Sequence, residues 1–132
     1  MAGELEVRLV TPEREVWSGR ASLVLARTLE GELGILPGHE ALVGVLDIAP
    51  VHIDTSDGRM SLAVEGGYLH VLPGPDTTRV DLLVEYAERA GEIDPQALAE
   101  LEQQAAEVQA SDPEEAKRLQ ARIALRRQLQ SS

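Results

Sequence analysis

The stretch "DTSDGRMSLAV", Asp54 to Val64, decides how this chain folds. Its Asp57-Gly58 pair stands between Val51–Ile53 and the alternating row Met60, Leu62, Val64. An Asp-Gly pair flanked by alternating apolar residues is the strongest short-range signal for a β-hairpin. Outward from it the same period of two recurs. "LEVRLV" (Leu5 to Val10) puts Leu5, Val7 and Leu9 on one face and Glu6 and Arg8 on the other, as a strand with one dry side requires, and Thr11-Pro12 ends it. "SLVLART" (Ser22 to Thr28), "ALVGVL" (Ala41 to Leu46), "YLHVL" after a break at Gly66-Gly67, and "RVDLLVEY" after the Pro73-Gly74-Pro75 turn are further strand candidates. Many short strands with no helical stretch between them predict an antiparallel β-sandwich or a flattened barrel.

After Tyr86 the character changes. Gly and β-branched residues give way to Ala, Glu, Gln, Leu and Arg, and the spacing of apolar residues lengthens to three and four. Asp94-Pro95 and Asp112-Pro113 each supply an N-cap followed by proline at the first helical position, where its missing N–H costs nothing. Leu98, Leu101, Ala105 and Val108 form one stripe; Ala116, Leu119 and Ile123 form the other. The chain therefore divides into a β-sandwich over 1–88 and a two-helix antiparallel hairpin over 89–132. Leu125 and Leu129 fall on a different side of the second helix and need a neighbour outside the hairpin. The hairpin has few large apolar side chains with which to order some thirty residues, so it is thinly held. Its charges are sorted: Glu100, Glu102 and Glu107 on the first helix, Lys117, Arg118, Arg122, Arg126 and Arg127 on the second. That sorting suits either two solvated faces attracting each other or a basic helix that meets an acidic partner.

Composition narrows the function. The 132 residues carry a formal net charge of −11, which opposes nucleic acid and anionic lipid and favours a protein partner. With no Phe, one Trp and two Tyr, the core must be built from Val, Leu, Ile and Ala. The absence of cysteine removes disulfides, thiolate nucleophiles and cysteine-type zinc sites. No apolar run is long enough to cross a bilayer, and the chain opens without a basic or apolar leader, so a soluble, unexported protein is expected.

The glycine-rich "EGELGILPGHEALVG" (Glu30 to Gly44) invites a search for chemistry. A phosphate loop needs a helix behind it and a lysine nearby, yet Pro37-Gly38-His39 leads into the strand-like "ALVGVL". The spacing also fails a dinucleotide fingerprint. His39, His52 and His70 come without triad or metal spacing, although His52 and His70 on neighbouring strands would be close enough to pair. The residues point to no catalytic group and no metal site.

"EGELGILPGHEAL", preceded by "LEVRLVTPEREVWSG" and followed by "VEGGYLHV" and "AERAGEID", resembles the ε subunit of bacterial F-type ATP synthase, in register over nearly the whole chain. The resemblance implies a sandwich of about ten strands that docks on the γ subunit and on the ring of c subunits, coupling ring rotation to the catalytic head. It implies a non-catalytic, peripheral subunit at the cytoplasmic face of the bacterial plasma membrane, without insertion into the bilayer. Glu32, Pro37, Gly38 and His39 are then the expected γ and c-ring contacts, with Gly31, Gly34, Asp57 and Gly58 setting turns by virtue of glycine's tolerance of positive φ. It further implies a hairpin that is either folded on the sandwich or extended along γ, where it restrains ATP hydrolysis. Arg122, Arg126 and Arg127 are the expected contacts with the α and β subunits. Some relatives bind ATP on the folded hairpin. Here Glu88, Ile93, Asp94 and Arg127 match that pattern, but Ala97 and Leu98 stand where Arg-Ala is expected, and Gln104 and Ser131 where arginine would hold phosphates. Weak or absent ATP binding, and no other cofactor, follow from the missing cations. The rival reading is a free-standing, small-molecule-binding sandwich with the hairpin as its lid.

Overall fold

The structure is a computed structural model that describes residues 4–108 and 111–130. Eight strands come first: β1 (Leu5–Val10), β2 (Glu15–Ala21), β3 (Leu23–Thr28), β4 (Gly31–Ile35), β5 (Leu42–Val45), β6 (Ala49–Thr55), β7 (Gly58–Leu72) and β8 (Thr78–Arg89). A 3-10 turn (Ala90–Glu92) leads into α1 (Pro95–Val108) and α2 (Pro113–Gln130). The strands pair in the order β2-β1-β8-β7-β6-β3-β4, with β5 joined to the far half of β7. All neighbours run antiparallel except β1 and β8.

The sandwich closes because β7 and β8 reverse their alternation part-way along. In the first half of β7, Leu62 and Val64 enter the main core while Ala63 faces outward; in the second half Leu69 and Val71 enter it while Tyr68, 58% exposed, faces outward. Even-numbered residues point inward before Gly66-Gly67 and odd-numbered ones after. β8 makes the matching reversal, with Val84 inside and then Ala87, and the register between the two strands holds across it, Glu65 opposite Tyr86 and Gly67 opposite Val84. Because side chains alternate with period two, such a phase slip turns a sheet over, and the corner passes β7 from β6 to β5. Gly66-Gly67 is therefore a corner within one 15-residue strand, not the break that the sequence suggests. Gly67 has φ +126.

Two hairpins share one device. In Thr28-Leu29-Glu30-Gly31 and Thr55-Ser56-Asp57-Gly58 the threonine lies opposite the glycine, its hydroxyl donates to the glycine carbonyl (3.1 and 3.0 Å) and accepts the N–H two residues on (3.2 and 3.1 Å). The glycines have φ +127 and +117, as the position after a two-residue turn requires. The expected hairpin at Asp57-Gly58 thus exists, but Ser56-Asp57 forms the turn, and Asp57 keeps a negative φ. Gly34, expected in a turn, is instead an ordinary extended residue of β4, because only Gly31 and Gly38 bracket that strand with positive φ.

The core is aliphatic, as composition requires. Leu5, Leu9, Val24, Ile35, Ile53, Leu62, Leu69, Val80 and Leu82 are wholly buried, and Trp17 reaches it only partly. Both helix caps form: Asp94 Oδ1 accepts the Gln96 N–H at 2.9 Å and Asp112 Oδ1 that of Glu115 at 3.1 Å. Leu98, Leu101 and Ala105 pack on Leu119 and Ile123. Leu125 and Leu129 find the neighbour they need in Ala63 and Ile93, flanked by Ile48 and Ala90, which seats the end of α2 on the sandwich.

Candidate functional site

The expected contact loop is a built turn. His39 N–H donates to the Leu36 carbonyl at 3.1 Å, with Pro37 and Gly38 as its middle residues and Gly38 at φ +88, the pattern of a type II turn. Gly38 N–H donates to Thr78 Oγ1 at 2.7 Å, so the buried first residue of β8 pins the turn. His39 Nδ1 lies 2.8 Å from the Glu40 carbonyl, an oxygen that can only accept, so Nδ1 is the donor in this contact. Glu32 lies apart from this turn, exposed on β4 at the end of the strand order. Leu29 and Leu36, flanking β4, are 68% and 59% exposed.

A row of exposed apolar side chains crosses the outward face of the second half of β7. Register aligns Val45, Tyr68, Leu83 and Val10 in one row across β5, β7, β8 and β1, and Val43, His70, Asp81 and Arg8 in the next. Val43, Val45, Tyr68 and Leu83 are between 44% and 67% exposed. Scattered apolar residues on a surface need no explanation, but cross-strand neighbours forming a contiguous patch mark a contact surface. The histidines do not cluster. His52 pairs with Ser61 (Nδ1 to Oγ 2.7 Å), nine residues along β7 from His70, and no group of metal-ligating side chains exists among the described residues. Burial first, then the Arg59 guanidinium, lower the His52 pKa and favour its neutral form.

A third assembly lies where α2 meets the sandwich. Glu65, 5% exposed on β7, accepts Arg122 Nε at 2.6 Å and forms an ion pair with Arg126, itself only 2% exposed. The Arg126 guanidinium lies 4.7 Å over the Tyr86 ring. Tyr86 donates its hydroxyl to Glu88 at 2.5 Å, and the other Glu88 oxygen accepts the Asp94 N–H at 3.3 Å. Burial, then the hydrogen bond to Glu88, push the Tyr86 phenol up to about 12. The unfolded phenol titrates near 10, so this contribution to stability is intact below pH 10 and is lost as pH rises toward 12. An ultraviolet titration should therefore show one late phenol step that Tyr86→Phe removes; a variant whose alkaline titration matches the parent would refute the buried pairing.

The residues matching a nucleotide site are thus used internally. Glu88 and Asp94 join the strand to α1, Ile93 is buried under Leu125 and Leu129, and Arg127 pairs with Glu102 of α1. Gln104 is exposed on α1, and Ser131 lies outside the described residues. Of the expected head contacts, Arg122 and Arg126 converge on Glu65 and Arg127 points to the other helix. A cleft of about 320 Å³, lined by Arg27, Glu32, Leu33, His52 and others, receives only Gln128 from the described residues of the hairpin, so α2 itself does not lie over it as a lid would. Sequence reasoning missed Glu65 and Tyr86. The signal was present: Glu65 is the single acidic or basic residue, histidine aside, between Met60 and Leu72, next to two glycines.

Residues 4–90, the whole sandwich, match the family model described as ATP synthase, Delta/Epsilon chain, beta-sandwich domain. The chain belongs to the ATP synthase delta/epsilon chain family. Relatives extend this likeness beyond the sandwich. An ATP synthase epsilon chain of Streptomyces avermitilis is 50% identical over 109 residues, covering 81% of this chain and 85% of the relative. One from Streptomyces griseus is 43% identical over 127 residues, or 96% of each. A chain of the Euglena gracilis mitochondrial ATP synthase, solved by cryo-electron microscopy with OSCP, F1 and the c-ring, superposes with a TM-score of 0.70 at 31% identity, covering 94% of this chain and 76% of that one. The delta/epsilon family thus accounts for both sandwich and hairpin, and the chain is a component of an ATP synthase.

Proposed function

We propose that this chain is the epsilon subunit of the central stalk of a bacterial ATP synthase, a non-catalytic coupling element at the cytoplasmic face of the plasma membrane. The single observation that carries the reading is the outward row Val45, Tyr68, Leu83 and Val10, in which the first three apolar side chains are exposed as cross-strand neighbours and Val10 is half-buried at the end. In this reading the row docks on the γ subunit, with the Pro37-Gly38-His39 turn at its margin, while Glu32 on the β4 edge meets the ring of c subunits. A hairpin held on the sandwich mainly by one end of α2 supports a regulatory role, in which Arg122, Arg126 and Arg127, released from their internal partners, meet acidic segments of the α and β subunits and restrain ATP hydrolysis. ATP binding is expected to be weak, because the matching side chains already have partners within the chain and arginines expected to hold phosphates are missing.

The test is binding to isolated γ by titration calorimetry. The double variant Tyr68→Glu, Leu83→Asp should lose on the order of a hundredfold in affinity, since central aromatic and aliphatic anchors carry most of an interface's energy. Its thermal unfolding should match the parent's, because both side chains are exposed. Undiminished binding to γ would refute this surface, and failure of the parent chain to bind γ at all would favour a free-standing ligand-binding sandwich.

A further inference from the structure

The seat of α2 combines a small apolar contact with an ion cluster in which Glu65 and Arg126 are buried and Arg122 stands at the rim. Leu125, Leu129, Ala63 and Ile93 contribute modest apolar area. Beside them one carboxylate, Glu65, faces two guanidinium groups, and the deeper one, Arg126, is covered by the Tyr86 ring and donates Nη1 to the Arg122 carbonyl at 3.0 Å. Arg126 Nε is buried without an acceptor among the described residues. A buried guanidinium requires a counter-anion, and removal of that anion leaves an uncompensated charge that the structure must expel to water. Arg126 can reach water only if the end of α2 lifts, because it is enclosed by β7, β8 and its own helix.

We propose that Glu65 is the latch that holds the helical hairpin on the sandwich, and that the arginine pair it occupies is an anion site whose resident anion is the protein's own carboxylate. The hairpin's docking is then set within the chain and needs no dissolved ligand. Glu65 stands one residue before the Gly66-Gly67 corner, so the strand bend fixes where the carboxylate sits, and Arg122 and Arg126, one helical turn apart on α2, present both cations to it. The latch depends on nothing outside the chain and stands or falls independently of γ binding.

Hydrogen exchange of the full chain tests it. In Glu65→Ala the amides of α2 should exchange on the order of a hundredfold faster, with those of β1 and β8 within a few-fold of the parent. The deleted group is equivalent to acetate, so acetate should restore protection where chloride at the same ionic strength does not. Arg122→Gln, at the rim of the cluster, should raise α2 exchange about tenfold in the parent and add nothing in the Glu65→Ala background, since the two residues form one interaction. Unchanged α2 exchange in Glu65→Ala overturns the latch. Equal effects of acetate and chloride overturn the anion site. Should Glu65→Ala unfold the whole chain, the Arg122→Gln single variant decides: sandwich and hairpin loosening in parallel would overturn the latch, hairpin loosening alone would support it.

Discussion

Gly67→Ala should destabilise the sandwich by about 4 kcal/mol or more, a loss that belongs to the exceptional class of single substitutions. Two costs combine. The residue has φ +126, outside the range that L side chains readily adopt. A Cβ there would also lie 2.3 Å from the Leu83 carbonyl oxygen and 2.6 Å from Val84 Cα, contacts with backbone that no rotamer change can relieve. The Gly67 carbonyl meanwhile accepts the Leu46 N–H at 2.9 Å, so any shift of β7 also pulls on the approach to β6. Gly31, Gly38 and Gly58 share the positive φ but have open space where a Cβ would go; alanine at these sites should cost only about 1–2 kcal/mol. Urea unfolding of the four variants separates close packing from backbone strain. If Gly67→Ala lost no more than the other three, the corner would not require the close approach of β7 and β8.

Leu82→Ala and Leu83→Ala should part company although they are neighbours in β8. Leu82 is wholly buried, with Leu9 opposite on β1 and Leu69 opposite on β7, in a core that holds no phenylalanine to collapse into the space. Truncation there should cost about 3 kcal/mol, within the range for buried leucines that leave a cavity. Leu83, 50% exposed in the outward row, should change stability by no more than about 0.5 kcal/mol while weakening the interaction with γ. The measurement is the urea midpoint of each variant beside its affinity for γ. Equal loss of stability would mean that the outward face is part of the core's support and not a free docking surface.

How much of this was legible in the residues depends on distance along the chain. Leu5, Val7 and Leu9 faced the core as their alternation required, and both Asp-Pro pairs capped their helices, because such features are settled by neighbours a few residues away. The Ser56-Asp57 turn was misplaced by one residue: Asp-Gly suggests a two-residue loop, whereas Thr55 reaches across to Gly58 and moves the glycine behind the turn. The same Thr-x-x-Gly spacing at Thr28–Gly31 could have exposed the rule. Gly66-Gly67 read as a break because a sequence displays the loss of alternation but not the partner strand that reverses with it. Glu65 was hidden for another reason. Its value comes from Arg122, 57 residues away, and only folding brings the two together. The family was legible from the glycine-rich stretch, but the packing of its arginines was not.

Because Glu65 and Tyr68 lie on a single uninterrupted strand, the seat of the hairpin and the outward row are three residues, or roughly 10 Å, apart along covalent backbone. A torque applied to the row is therefore delivered to the hairpin's anchor without passing through any loop or side-chain joint. Elastic compliance between the two is limited to the bend at the double glycine, and its stiffness governs how far twist at one end is felt at the other.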